Sequence, residues 1–258
     1  MNNVYVFHGA DGKTGTTMIT QSVAEYIASR CRKLKAMMIS MHGRPGTEYV
    51  DKVGESIEGI RLHLDSKLLN ITKLVEECRR SENFYMLGGV ENIEKVRNYH
   101  PEMAVYLLEN LSEVFDLVFV DSGNDIDNAL AVGALECVDN RYCIVTQQES
   151  ILRRYETVKP IYEKLGIDFT SYIVNKYSDT DSYDLRYIEK RLNITPERLM
   201  KIGISGYERV AESEKKTLLH YKNDKFCNDI HALANRILCR SQMPSIESER
   251  KRRWRSFI

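Results

Sequence analysis

Short apolar runs bounded by turn residues alternate along this chain with longer stretches of helical period, and that alternation narrows the fold more than any other feature. Val4–His8, Ala36–Met41, Phe84–Leu87, Leu117–Asp121, Arg141–Thr146 and Phe169–Asn175 read as strands. Thr17–Ser29, Lys67–Arg79, Pro101–Val114, Glu149–Leu165 and Asp224–Arg240 read as helices. Strands separated by helices of about 10–15 residues argue for βαβ units. The runs are apolar without strict alternation, as strands buried on two faces must be. The expected architecture is an α/β fold, a doubly wound, mainly parallel sheet with helices on both faces, in one domain over residues 1–240. No internal repeat or low-complexity linker breaks that span.

The chain has 258 residues, 37 Lys plus Arg and 37 Asp plus Glu, so its formal net charge is zero. That balance excludes a chain basic all over, as a non-specific nucleic-acid coat would be. The 43% apolar content fits an ordinary globular protein. Six cysteines contain no CxxC pair and no zinc-like spacing, and read as reduced thiols of a cytosolic protein. The opening MNNVYVFHGADG lacks a basic start followed by a long apolar run, so no secretory signal is expected. The longest apolar stretches run to about five residues, far short of the roughly 20 that span a bilayer. The expected location is the cytoplasm.

The end of the chain differs. Ser241–Pro244 breaks the last helix, and residues 241–258 form a separate basic tail. Arg250–Ile258 holds five cations and no acid, leaving 32 basic residues against 37 acidic in the remainder, a net of −5. Trp254, Phe257 and Ile258 fall at i, i+3 and i+4, one face of a helix ringed by Arg250, Lys251, Arg252, Arg253 and Arg255. Such a segment suits the surface of an anionic membrane. A solubilising tail and a contact with nucleic acid or a protein partner are the other readings.

Gly9–Thr17 lies between the first strand and the first helix, where α/β folds bind phosphates on glycine-rich turns and helix N-termini. The dinucleotide fingerprint fails, because the spacing is G-x-x-G-x-x-G and strand two ends Ser40-Met41-His42 without an acid. The standard mononucleotide loop GxxxxGK[ST] fails as well, since Phe7 stands where its first glycine belongs. A tight strand-to-helix turn without a ligand is the plain reading beside these.

The segment HGADGKTGTTMITQSVAEYIA resembles the deviant Walker loop of the MinD/ParA family of dimeric P-loop ATPases, closest to the atypical TadZ/CpaE branch used in pilus localisation. On that register Gly12 and Gly15 match the loop glycines, Lys13, Thr14 and Thr16 complete a cradle for phosphate, and Thr17 matches the magnesium-binding hydroxyl. Asp11 and Thr16 stand where the family carries its signature and phosphate-binding lysines, and Lys13 is the nearest substitute charge. Phe115–Gly123 resembles the second family motif, whose carboxylate, here Asp121, holds magnesium or its water. Ile173-Val174-Asn175-Lys176 resembles the strand ending whose asparagine meets adenine. The family's second strand carries an aspartate that helps position the attacking water; here Ser40-Met41-His42-Gly43-Arg44-Pro45 offers no carboxylate.

The resemblance thus implies ATP and Mg2+ as cofactors, bound by Gly12, Lys13, Thr14, Gly15, Thr16, Thr17 and Asn175, with Thr17 and Asp121 at the metal. It implies a homodimer acting as spatial organiser of a pilus or secretion machine, cytoplasmic, with its tail at the inner face of the membrane. Hydrolysis should be slow or absent, because each lost positioning or charge-neutralising group typically removes about 3 kcal/mol of transition-state help. The alternatives are a scaffold of the same fold that binds no nucleotide, and a ParA-type partitioning ATPase that binds DNA, which global neutrality disfavours. His8 and His42, near the carboxyl ends of strands, read as packing or surface residues rather than metal ligands.

Overall fold

In the computed structural model, which describes residues 1–247, every residue of the first strand, β1 (Val4–Gly9), is buried. Its side chains divide by parity. Val4 and Val6 enter one core, Tyr5 and Phe7 the other. The same division holds in β2 (Ala36–Ser40), β5 (Leu117–Asp121), β6 (Asn140–Val145) and β7 (Ser171–Tyr177), in the last up to a bulge after Val174. A strand with apolar side chains on both faces is stable only between two layers, so it reads as a continuous apolar run.

With β3 (Glu55–Ser56), β4 (Phe84–Gly88) and β8 (Leu199–Gly203), these strands form one eight-stranded sheet in the order β3-β4-β2-β5-β1-β6-β7-β8. Every pairing between them is parallel. Helices α1 (Thr16–Arg30) and α9 (Asp224–Arg240) supply the core around Tyr5 and Phe7. Helices α4 (Pro101–Val114), α5 (Ala129–Cys137) and α6 (Glu149–Lys164) cover the opposite face. The doubly wound parallel architecture expected from the alternation is therefore the one observed.

The differences are local. The expected helix Lys67–Arg79 is shorter, α3 (Ile71–Glu77), and a separate short helix, α2 (Arg61–Asp65), precedes it. Lys67 takes a left-handed φ of 55°, and Asn70 caps α3 by accepting from the Lys73 N–H at 3.1 Å. Helices α2, α5, α7 (Leu185–Leu192) and α8 (Glu208–Ser213) and strands β3 and β8 were not expected. The basic stretch Arg250–Ile258 lies outside the described residues, within which no helix is long and apolar enough to cross a membrane.

The order of the strands fixes the site. Strand β1 lies between β5 and β6, with β2 beyond β5, so the carboxyl ends of β1, β2 and β5 meet at one edge. Ser40 pairs with Asp121 and Phe7 with Asp121 in register. Ligands of open α/β sheets bind outside those ends.

Candidate functional site

A cleft of about 1000 Å³ opens at that edge, with Lys13, Thr14, Gly15, Thr16 and Thr17 on one wall. The opposite wall comes from the ends of β2 and β5 and from the start of α8. Its size falls in the range of small-molecule and nucleotide sites.

The loop is wound as an anion nest. Lys13 (φ 62°) and Gly15 (φ 90°) are left-handed, and Gly15 leads into α1 with no side chain capping the helix. Alternation of this kind turns successive N–H groups to one side. Among the described residues, no acceptor takes the backbone N–H of Lys13, Thr14, Gly15, Thr16 or Thr17. The Gly12 N–H is different: it donates to Asp11 Oδ1 at 2.7 Å.

The end of β7 sets the direction of those amides. Asn175 Nδ2 donates to the Thr14 carbonyl at 2.7 Å, and Lys176 Nζ donates to the Lys13 carbonyl at 2.7 Å. In a trans peptide the C=O and the N–H of the next residue point opposite ways. Pinning these two carbonyls toward β7 therefore turns the Thr14 and Gly15 N–H groups away from β7. Gly15 is required there for a second reason, since a Cβ on it would sit 2.4 Å from Asn175 Nδ2. Asn175, expected at an adenine ring, is 5% exposed and has its amide nitrogen engaged by the loop.

Thr14 and Thr16 close the loop's inner side. Their hydroxyls are 3.2 Å apart, and Thr14 Oγ1 also donates to the Asp11 carbonyl at 3.1 Å. Both side chains are buried over Gly9, so Thr16 is turned inward where the family's phosphate-binding lysine would start. Lys13 is exposed and lines the cleft.

Asp121 is fully buried at the end of β5, with Oδ1 accepting the Gly123 N–H at 3.0 Å. His42, one residue beyond Met41 at the end of β2, places Nε2 3.3 Å from Asp121 Oδ2. At that distance the two atoms meet in poor hydrogen-bond geometry, an ion pair when the imidazole is protonated. Burial pushes the Asp121 carboxyl up, but His42, the Thr17 hydroxyl and the Gly123 N–H together hold it below its ordinary value. Burial likewise pushes the His42 imidazole down, and the Asp121 carboxylate, with Glu48 adding to it, raises it overall. The two directions agree. Gly123 makes the fit possible: with φ 64°, a Cβ there would stand 2.7 Å from His42 Cβ.

A hydroxyl and a carboxylate converging from Thr17 and Asp121 are the oxygen donors that Mg2+ accepts. That donor set suits the metal in kind, although His42 Nε2 stands 3.3 Å from Asp121 Oδ2. Among the described residues no cluster of three His, Cys, Asp or Glu forms a transition-metal site. His8 is buried as expected for a packing residue, bonded at Nδ1 to Ser122 Oγ (2.9 Å) and at Nε2 to Tyr162 Oη (3.0 Å). Sequence reasoning did not single out Arg44, Arg97 and Arg209, exposed cations that line the cleft. They lie in loops and short helices, where no motif spacing points to them.

No protein-family model matches this sequence, and no curated protein is similar to it in sequence. Solved structures are similar in fold. A ParA family ATPase from Chlorobium tepidum TLS superposes with a TM-score of 0.78 at 19% identity, over 91% of this chain and 98% of that one. The septum site-determining protein MinD of Pyrococcus horikoshii OT3, complexed with Mg-ADP, gives 0.69 at 17% identity, over 91% and 96%. MinD in the Aquifex aeolicus MinC:MinD complex gives 0.69 at 17% identity, over 96% and 98%. The structural neighbours are ParA and MinD ATPases, and the chain shares their fold.

Proposed function

We propose that this chain binds an adenine nucleotide, ATP, on the loop Gly12–Thr17, with Thr17 and Asp121 the residues available to Mg2+, and hydrolyses it slowly or not at all. The observation that carries the reading is the row of backbone N–H groups from Lys13 to Thr17 without acceptors at the mouth of a cleft of nucleotide size. Backbone amides and a helix N-terminus bind phosphate without a lysine. The fold neighbour complexed with Mg-ADP supports the choice of ligand. Mg2+, when bound, neutralises phosphate charge; Thr17 and Asp121 are the residues that would hold it. The weak point for catalysis is the side-chain set: Thr16 and Asp11 replace two lysines, and no carboxylate follows β2.

Dimerisation and work as a spatial organiser of a pilus or secretion machine are the further parts of this reading. They rest on the likeness of the loop to the TadZ/CpaE branch, and the MinC:MinD neighbour supports a protein partner in general. A location at the inner face of the membrane rests on the composition of Arg250–Ile258 alone.

A second reading, a scaffold that binds no nucleotide, is favoured by the loop's own contacts. Asp11 takes the Gly12 N–H, and the Thr14 and Thr16 hydroxyls are bonded within the loop, to each other and to the Asp11 carbonyl. Isothermal titration with ATP and Mg2+ separates the two. Saturable micromolar binding with phosphate release close to background is expected; absence of binding heat at any concentration selects the scaffold, and robust turnover shows that the missing lysines were replaced.

A further inference from the structure

In a buried site, a polar atom left without a well-formed hydrogen bond calls for a specific explanation. Asp121 Oδ2 and His42 Nε2 are two such atoms, 3.3 Å apart. The carboxylate is fully buried and the imidazole 8% exposed, so water does not satisfy them at the surface. The ring is held in place: β2 pairs with β5 through Ser40 and Asp121, the Met41 N–H donates to the Asp121 carbonyl at 2.7 Å, and the backbone of Gly123 packs on the His42 side chain. His42 therefore belongs to the wall of the site rather than to a loose loop.

We propose that His42 is a resident competitor for the metal: its imidazole stands at the Asp121 oxygen that Mg2+ would use, so the chain takes up ATP with little dependence on Mg2+. A small hard cation needs that oxygen, directly or through a water, in near-octahedral geometry. A ring nitrogen 3.3 Å away obstructs this approach by its bulk, and by its N–H whenever Nε2 carries the proton. The triphosphate then meets the loop amides and the imidazole edge, and the metal adds little. The inference rests on the nucleotide reading above and names how its cation requirement differs from that of a site without His42.

The test is titration of the full chain with ATP, once with Mg2+ and once with EDTA, on the wild type, His42→Ala and His42→Gln. For the wild type the two dissociation constants should agree within about threefold, roughly 0.6 kcal/mol. In His42→Ala the metal should tighten binding at least tenfold, and Mn2+ binding followed by electron paramagnetic resonance should appear at lower concentration than in the wild type. His42→Gln, which keeps a donor beside Asp121, should stay near the wild-type ratio, and a thermal melt identifies any variant that has lost its fold. Strong Mg2+ dependence in the wild type, or the same ratio in folded His42→Ala, overturns the inference while leaving nucleotide binding intact. No ATP binding by the wild type in either buffer overturns the nucleotide reading and this inference with it.

Discussion

Acid should weaken this protein through one residue on its central strand. His8 is fully buried, with both ring nitrogens bonded to hydroxyls, those of Ser122 and Tyr162. Burial pushes its pKa from the ordinary 6.5 down to about 4, against a smaller opposing pull from Asp121. The native chain therefore keeps His8 neutral in a range where the unfolded chain already binds a proton. Nothing is lost above pH 6.5. Between 6.5 and about 4 stability falls as the pH falls, and below that the loss is complete. At about 1.4 kcal/mol per pH unit, the full loss is about 3 kcal/mol, a large part of the roughly 5–15 kcal/mol that holds a typical domain. Asp121, held low, acts in the same direction and His42, held high, in the opposite one, so the His8 share must be isolated by difference. Urea denaturation of wild type and His8→Gln between pH 7.5 and 4 does this, with the midpoints converted through a common slope. The wild type should lose about 3 kcal/mol more than the variant. Parallel curves, or a native-state NMR titration of His8 near 6.5, refute the reasoning.

Three further outcomes follow from the site. Gly15→Ala forces a left-handed φ on a residue with a Cβ and drives that atom into Asn175, so it should cost about 2 kcal/mol or more. That corresponds to roughly 5 °C in a thermal melt, together with loss of ATP binding by titration. Thr16→Lys puts a charge on the loop in place of a buried hydroxyl, and should tighten ATP binding about tenfold, the effect of one charge-assisted hydrogen bond, with phosphate release rising above background. Flotation with anionic liposomes should retain the full chain and release one ending at Pro244, and equal behaviour of the two removes the membrane role of the tail.

What the sequence makes legible here is what local pattern controls. The apolar runs of β1, β2 and β5 need two faces covered, and the glycines at 12 and 15 punctuate the turn into α1, so the layered sheet and the loop can be read directly. Strand β8 escapes because two of its five residues are only half-buried and its pattern is short, as at the edge of a sheet. The Lys67–Arg79 stretch has helical composition throughout, and the left-handed Lys67 and the Asn70 cap delay the start of its helix to Ile71. The His42–Asp121 pair is of a different kind. The two residues are joined by neither spacing nor motif, and they meet because β2 lies beside β5, an order that periodicity does not encode. The same holds for Asn175, whose grip on the Thr14 carbonyl depends on where β7 ends relative to the loop.

The most direct measurement is a crystal structure of the full chain grown with excess of a non-hydrolysable ATP analogue. The account predicts phosphate oxygens within hydrogen-bond distance of the amides of Lys13 to Thr17, with Asn175 and Lys176 still holding the carbonyls behind them. A ligand-free loop whose amides point elsewhere, or a nucleotide bound away from β1, contradicts it.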